Sequence, residues 1–386
     1  MAIEQWDPLE VYDRQSRIAT GGVTWDQHGI ENARVLLVGG GNIGGGAATQ
    51  LARTGFVHID IVDIDIVSIA NLSRGVFLPA DVGRAKAEAL ADILRAINPR
   101  AIVRSIVGDV RWDFGTGLFR RYDLILLATH DLASRMHINR FAHRFGGVKA
   151  IIDGAIDELS FSVQTILPGE SPCYACALPL DTTDPDSYAG CNGVVTNNEA
   201  PPAATNGMDG MATAALMAKE AAMIAAGLGP MLAAKELRLD GGSQSVAIYR
   251  RAWRTSCSDH VPAPREAMMF LDIETDTRLV DIRAQVASAL GVELEAVRLF
   301  SSYLITRSLT CQCGEVIRVM RPQKASLKPA CNACGNADPS AFVTDRTFEL
   351  VDDDIADTVG DYGIPDGQVL EAYIADARYF IVPGKE

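Results

Sequence analysis

Glycines, cysteines and one carboxylate are the residues here whose spacing could do chemistry. Gly39, Gly41 and Gly44 form G-x-G-x-x-G directly after the apolar run ARVLLVG. Glycines so placed leave backbone N–H groups and a helix N-terminus open to phosphate oxygens. Asp63 ends a second apolar run about twenty positions later, where a carboxylate can accept from ribose hydroxyls. This pair suits a nicotinamide dinucleotide as well as ATP, and a glycine turn that only packs helix on strand uses the same residues. Cys311 and Cys313 precede Cys331 and Cys334 by about the length of a zinc-ribbon hairpin, so four thiolates flanked by glycines offer a tetrahedral metal site. The first pair is C-x-C rather than C-x-x-C. The other four cysteines are Cys173, Cys176, Cys191 and Cys257. Close pairs in a long chain that begins without a basic segment and apolar run point to metal and thiol chemistry, not to disulfides, and to a cytoplasmic protein.

The elements that must position these groups follow from periodicity. Residues 1 to 33 are polar and read as helical. ARVLLVG reads as a strand, AATQLARTG as a helix and HIDIVDID as a strand, which together make one βαβ unit. A helix over 84–97 and strands over 102–106 and 122–129 extend the alternation, so an α/β fold with a mostly parallel, Rossmann-like sheet is expected. Longer strands follow from residue 151, then a Pro/Asp/Asn/Gly-rich loop over about 179–206, a helix over 208–227 and a strand over 243–252. With 386 residues the chain exceeds one core. The proline-containing HVPAPRE marks a linker between a domain over 1–262 and a smaller α+β one over 266–386. The smaller domain opens with a strand and a helix and ends with a turn and strand within 359–374, and it carries the ribbon as an insert over about 308–338. A net charge of −14 opposes binding to a phosphate backbone, and no apolar stretch reaches the length of a membrane span.

The run from Val62, VDIDIVSIANLSRGVF, followed by VGRAKAEA, resembles the D-x-D, N-L-x-R and G-R-x-K-A-E motifs of the ThiF/MoeB and ubiquitin-activating superfamily. The resemblance implies an adenylation domain in which Asp63, Asp65 and Asn71 belong to the nucleotide site. Asp63 would hold ribose, and Arg74 and Lys86 would hold the triphosphate. Gly75 stands where the family has glutamine. In ATHDLASRMHINR, Asp131 matches the family's Mg²⁺ aspartate, with a helix N-cap as the competing role, and Arg135 and Asn139 match as well. YDRQSR resembles the motif whose arginine reaches the nucleotide of the opposite subunit, so Arg14 implies a homodimer.

The resemblance also pairs Cys173 and Cys176 with the segment RTSCSDH, where the family's second C-x-x-C becomes Cys257-x-x-His260. Three thiolates and an imidazole remain a sound tetrahedral zinc set. Exchange of pairs between this set and the ribbon stays open. Cys191 is left over in the long loop, where ubiquitin-activating relatives carry the cysteine that forms a thioester with the modifier. The C-terminal region resembles a β-grasp, ubiquitin-fold domain, which in those relatives recruits a conjugating enzyme. The expected activity is therefore adenylation of a ubiquitin-like protein with ATP, Mg²⁺ and structural Zn²⁺, then transfer to Cys191. Alternatives are sulfur-carrier activation of the ThiF or MoeB sort and, from the glycine motif alone, an NAD-dependent oxidoreductase.

Overall fold

The computed structural model describes residues 7–178, 205–322, 330–351 and 358–385, so Cys191 lies outside the described residues. The chain divides into two compact units. The first runs through Val110 and from Phe119 to Pro262; the second holds Arg111–Leu118 and the chain from Ala263 onward.

The first unit begins with short helices α1 (Pro8–Val11) and α2 (Asp13–Ser16), a hairpin of β1 (Ala19–Thr20) and β2 (Val23–Thr24), and α3 (Gln27–Asn32). The hairpin corrects the expectation that this stretch is helical throughout. Gly21 and Gly22, both at positive φ, turn the chain there. Then follow β3 (Arg34–Val38), α4 (Asn42–Thr54), β4 (His58–Asp63), α5 (Lys86–Ile97), β5 (Ile102–Val107), β6 (Leu124–Leu127), α6 (Leu132–Phe145), β7 (Ala150–Asp157), β8 (Ser160–Ile166), α7 (Gly207–Ala225), β9 (Lys235–Asp240) and β10 (Ser245–Arg250).

These strands form one sheet in the order β10-β9-β8-β7-β6-β3-β4-β5. From β7 to β5 the neighbours are parallel; β8, β9 and β10 continue it antiparallel. The continuous apolar runs of β3 and β6 are buried on both faces, as strands under helices must be. Helix α4 packs Ala47, Ala48, Leu51 and Ala52, none of them exposed, into this core. A Cβ on Gly46 would stand 2.8 Å from the Ala214 side chain, so α4 and α7 approach through small residues. The sequence did not mark β9: KELRLD alternates charge with leucine and its residues are half-buried or exposed.

Strand β3 lies between β4, which follows it, and β6, which comes later. Chain order reverses there, and ligands of open α/β sheets bind beyond the carboxyl ends of strands at such a point.

The second unit contains β11 (Met268–Leu271), α8 (Leu279–Leu290), β12 (Arg298–Cys311), β13 (Val316–Pro322), β14 (Phe342–Leu350), β15 (Leu370–Ile374) and β16 (Ala377–Pro383). The order is β11-β16-β15-β12-β13, with β14 on β12. The first strand runs parallel to the last, and β12 lies beside β15. The closing strand expected within 359–374 is thus the first arm of a hairpin. Leu279, Ile282, Val286, Tyr362, Leu370 and Ile381 are buried at its centre. The far half of β12 pairs with β13 and β14 to carry the cysteine turns. No described helix of the chain is long and apolar enough to cross a membrane.

Candidate nucleotide site and two cysteine clusters

The glycine turn sits at the switch point. Gly39 has φ +92°, and a Cβ on Gly44 would fall 1.8 Å from the Gly39 carbonyl oxygen, so neither position admits a side chain without rebuilding the turn. Gly41 is the N-cap of α4, and a Cβ there would meet nothing within 4 Å. The turn therefore opens a helix N-terminus to free space, the arrangement that accepts phosphate.

Asp63, at the carboxyl end of β4, is 8% exposed. Its carboxylate accepts the Gly40 N–H at 2.6 Å and the Asp65 N–H at 2.7 Å. Burial raises its pKa, opposed by those two N–H groups and by nearby Lys86. Lys86 begins α5 and is itself buried; its ammonium lies 2.8 Å from Asp65 Oδ2. Asn71 caps its own turn, accepting from the Ser68 N–H and hydroxyl. Arg74 donates from Nη1 to Thr205 Oγ1 at 2.6 Å. It lines an open cleft of about 680 Å³ with Ser73, Thr205, Asn206, Met208 and Met211. The start of α7 belongs to this region as well, for Asn42, the first residue of α4, donates to the Asn206 carbonyl at 3.0 Å. Spacing gave no hint of Thr205 or Asn206, because both contacts join distant segments.

Asp131 is the N-cap of α6: Oδ1 accepts the Ser134 N–H and Oδ2 the Thr129 hydroxyl, each at 2.7 Å. Its two companions in the motif serve the fold. Arg135 is buried in an ion pair with Asp153 and donates to the Thr129 and Gly154 carbonyls. Asn139 accepts the Tyr174 N–H at 2.8 Å, inside the first cysteine knuckle. His137 packs between Phe119 and Phe141. Arg14 is exposed on α2.

Cys173, Cys176, Cys257 and His260 bring their ligand atoms within 4.8 Å of one another, and so do Cys311, Cys313, Cys331 and Cys334. In the first set Cys173 Sγ lies 3.7 Å from Cys176 Sγ and 3.6 Å from Cys257 Sγ, while Cys176 Sγ lies 3.3 Å from His260 Nδ1. In the second, Cys311 and Cys334 are 3.7 Å apart and Cys313 and Cys331 3.6 Å. Zinc–sulfur bonds of about 2.3 Å in a tetrahedron set sulfurs about 3.75 Å apart, so both sets fit Zn²⁺. Each set brings together its own pairs. Both could hold zinc.

The model of the ThiF family matches residues 12–304. The chain belongs to that family. It is 32% identical over 193 residues to SUMO-activating enzyme subunit 2 of Dictyostelium discoideum, covering 49% of this chain and 28% of that protein. It is 31% identical over 271 residues to adenylyltransferase and sulfurtransferase MOCS3 of Caenorhabditis briggsae, covering 67% and 63%. The chain thus spans less than two thirds of the length of these curated relatives. Among solved structures, E. coli MccB with ATP superposes with a TM-score of 0.51 at 20% identity, covering 61% of this chain and 68% of that one. E. coli MccB with MccA-N7isoASN gives 0.53 at 20%, covering 66% and 75%. These two likenesses concern the fold.

Proposed function

We propose that this protein uses ATP to adenylate the C-terminal carboxylate of a small ubiquitin-like protein. The observation that carries the proposal is the convergence, at the carboxyl ends of β3 and β4, of an open glycine turn, a buried carboxylate and two cations. Asp63 would accept from the ribose hydroxyls. Lys86 would exchange Asp65 for a phosphate oxygen, and Arg74 would face the leaving pyrophosphate. An NAD enzyme has no triphosphate on which to use those cations. Asp131 would hold Mg²⁺, which neutralises phosphate charge when bound. A carboxylate oxygen of the modifier attacks the α-phosphorus, the bond to the β-phosphate bridging oxygen breaks and pyrophosphate departs, its charge met by the fixed cations.

Further steps extend this proposal. The Cys191 thiolate would attack the acyl carbon and expel AMP, leaving the modifier as a thioester. The domain over 266–386, with its first strand parallel to its last, would be the ubiquitin-fold part that receives a conjugating enzyme, beyond an adenylation domain over 1–262. A homodimer would bring Arg14 to the partner's nucleotide, and the cytoplasm would be its compartment. Sulfur-carrier activation is the second reading, supported by 31% identity to MOCS3 over 67% of this chain.

Pyrophosphate exchange with candidate modifiers tests the first step. The wild type should exchange, and Asp131→Ala should lose at least 100-fold of the rate. Equal rates would remove Asp131 from the site, and no exchange with any β-grasp protein would sink the proposal. A reductant-sensitive adduct lost in Cys191→Ala separates conjugation from sulfur-carrier activation.

A further inference from the structure

We infer that Thr205 is a positioning residue for Arg74, holding one edge of the guanidinium so that its other donors face the nucleotide cleft. The inference rests on the adenylation reading for the identity of the ligand. Its geometry is independent of that reading.

The only described partner of the Arg74 side chain is the Thr205 hydroxyl, and among the described residues Arg74 forms no ion pair. A guanidinium carries five N–H donors in a fixed fork, so one bond from Nη1 leaves the rest for an anion. Arginine otherwise loses its rotamer freedom at the moment it is ordered by a ligand. A partner already in place lowers that cost at the moment of binding.

Thr205 is itself fixed by the start of α7. Asn206 caps that helix, accepting the Asp209 N–H at 2.9 Å, and its carbonyl takes the Asn42 amide. Gly207 and Gly210 permit the close approach. A Cβ on Gly207 would lie 3.2 Å from Arg74 Cα, and one on Gly210 would lie 2.2 Å from Asn42 Oδ1. The helix start thereby lies against the first residue of α4 and against the arginine beyond β4. Thr205 and Arg74 thus meet at one corner of the cleft that both line.

A double-mutant cycle on the full chain, read by calorimetric titration with MgATP, tests the inference. Thr205→Val should weaken binding about tenfold, Thr205→Ser should restore it, and Thr205→Val should change nothing further in an Arg74→Ala background. Thermal melts of each variant are compared alongside. A tenfold loss that persists without Arg74 would show that Thr205 only supports the helix start, and it would overturn the inference. So would wild-type affinity in Thr205→Val. A wild type that binds MgATP yet never exchanges pyrophosphate would end the adenylation reading and leave the cycle to decide this one. A wild type that binds no MgATP would end both.

Discussion

Each cluster buries two of its ligands, Cys173 and Cys257 against Met136 and Ala175 in the first and Cys311 and Cys331 in the ribbon; the other two are half-buried in the first, Cys176 and His260, and exposed in the ribbon, Cys313 and Cys334. Around the first cluster, Asn139 takes the Tyr174 N–H, Arg251 donates to the carbonyls of Cys173 and Tyr174, and Arg140 pairs with Asp259. Around the second, the described hydrogen bonds are backbone ones: Gly314 to Cys311, Gly335 to Cys331 and Cys331 to Asn336 within the turns, and Gln312 to Ala341 between the arms. Cys173 and Cys257 are 84 residues apart, against 23 for Cys311 and Cys334. Closing the longer loop removes more chain entropy from the unfolded state, so an ion in the first cluster stabilises more of the fold. One set offers three thiolates and an imidazole and the other four thiolates, both tetrahedral donor sets. What surrounds them decides how firmly a metal is held.

The largest expected effect follows from that loop. Cys257→Ser should release one equivalent of zinc and lower the melting temperature by about 10 °C, the consequence of losing several kcal/mol in a domain of this size. Calorimetry with metal analysis checks both numbers, and an unchanged melting temperature would break the comparison. A smaller effect isolates the buried shell. Asn139→Leu removes the amide that orders the Cys173–Cys176 knuckle, and partners of this kind are worth about 10–100-fold in metal affinity. Competition with a chromogenic chelator should show that loss at the first cluster only. An equal loss at the ribbon would mean that the effect is not local.

Spacing made the parallel sheet legible, since VLLV and LILL are apolar without interruption and only a strand buried on both faces needs that. The two cysteine clusters were legible for a similar reason, because cysteines two or three apart on a turn must converge. Roles that depend on distant contacts were not. Asn139 and Arg135 share the Asp131 motif, yet one supports a cysteine knuckle and the other a buried ion pair with Asp153. Thr205 meets Arg74 across 131 residues and Asn42 meets Asn206 across 164, with no periodicity to announce either. Residues 111–118 carry no sign that they belong with the second unit. Thr116 and Gln368 meet there because the chain returns after 252 residues.

The smallest effect concerns the thiols once metal is removed. The Cys334 backbone N–H, directed at the sulfur, holds Cys331 down at about 7, while burial pushes the Cys173 thiol well up. The signs differ accordingly. Folding favours ionised Cys331, a contribution present above the ordinary thiol value near 9 and lost as pH falls through about 7. Folding favours protonated Cys173, a contribution present below that ordinary value and lost only as pH rises toward the raised one. Only the thiolate alkylates. Cys331 is 2% exposed, so iodoacetamide reaches it through a local opening. With that opening unchanged, raising pH from about 6 to about 8 should increase its labelling in stripped protein by about tenfold, the ratio of its ionised fractions. Cys173 should stay unlabelled across that range. Peptide mapping reads each position separately. Labelling of Cys173 at the lower pH would mean that the first cluster opens without its metal, and that its surroundings follow from the ion instead of preparing for it.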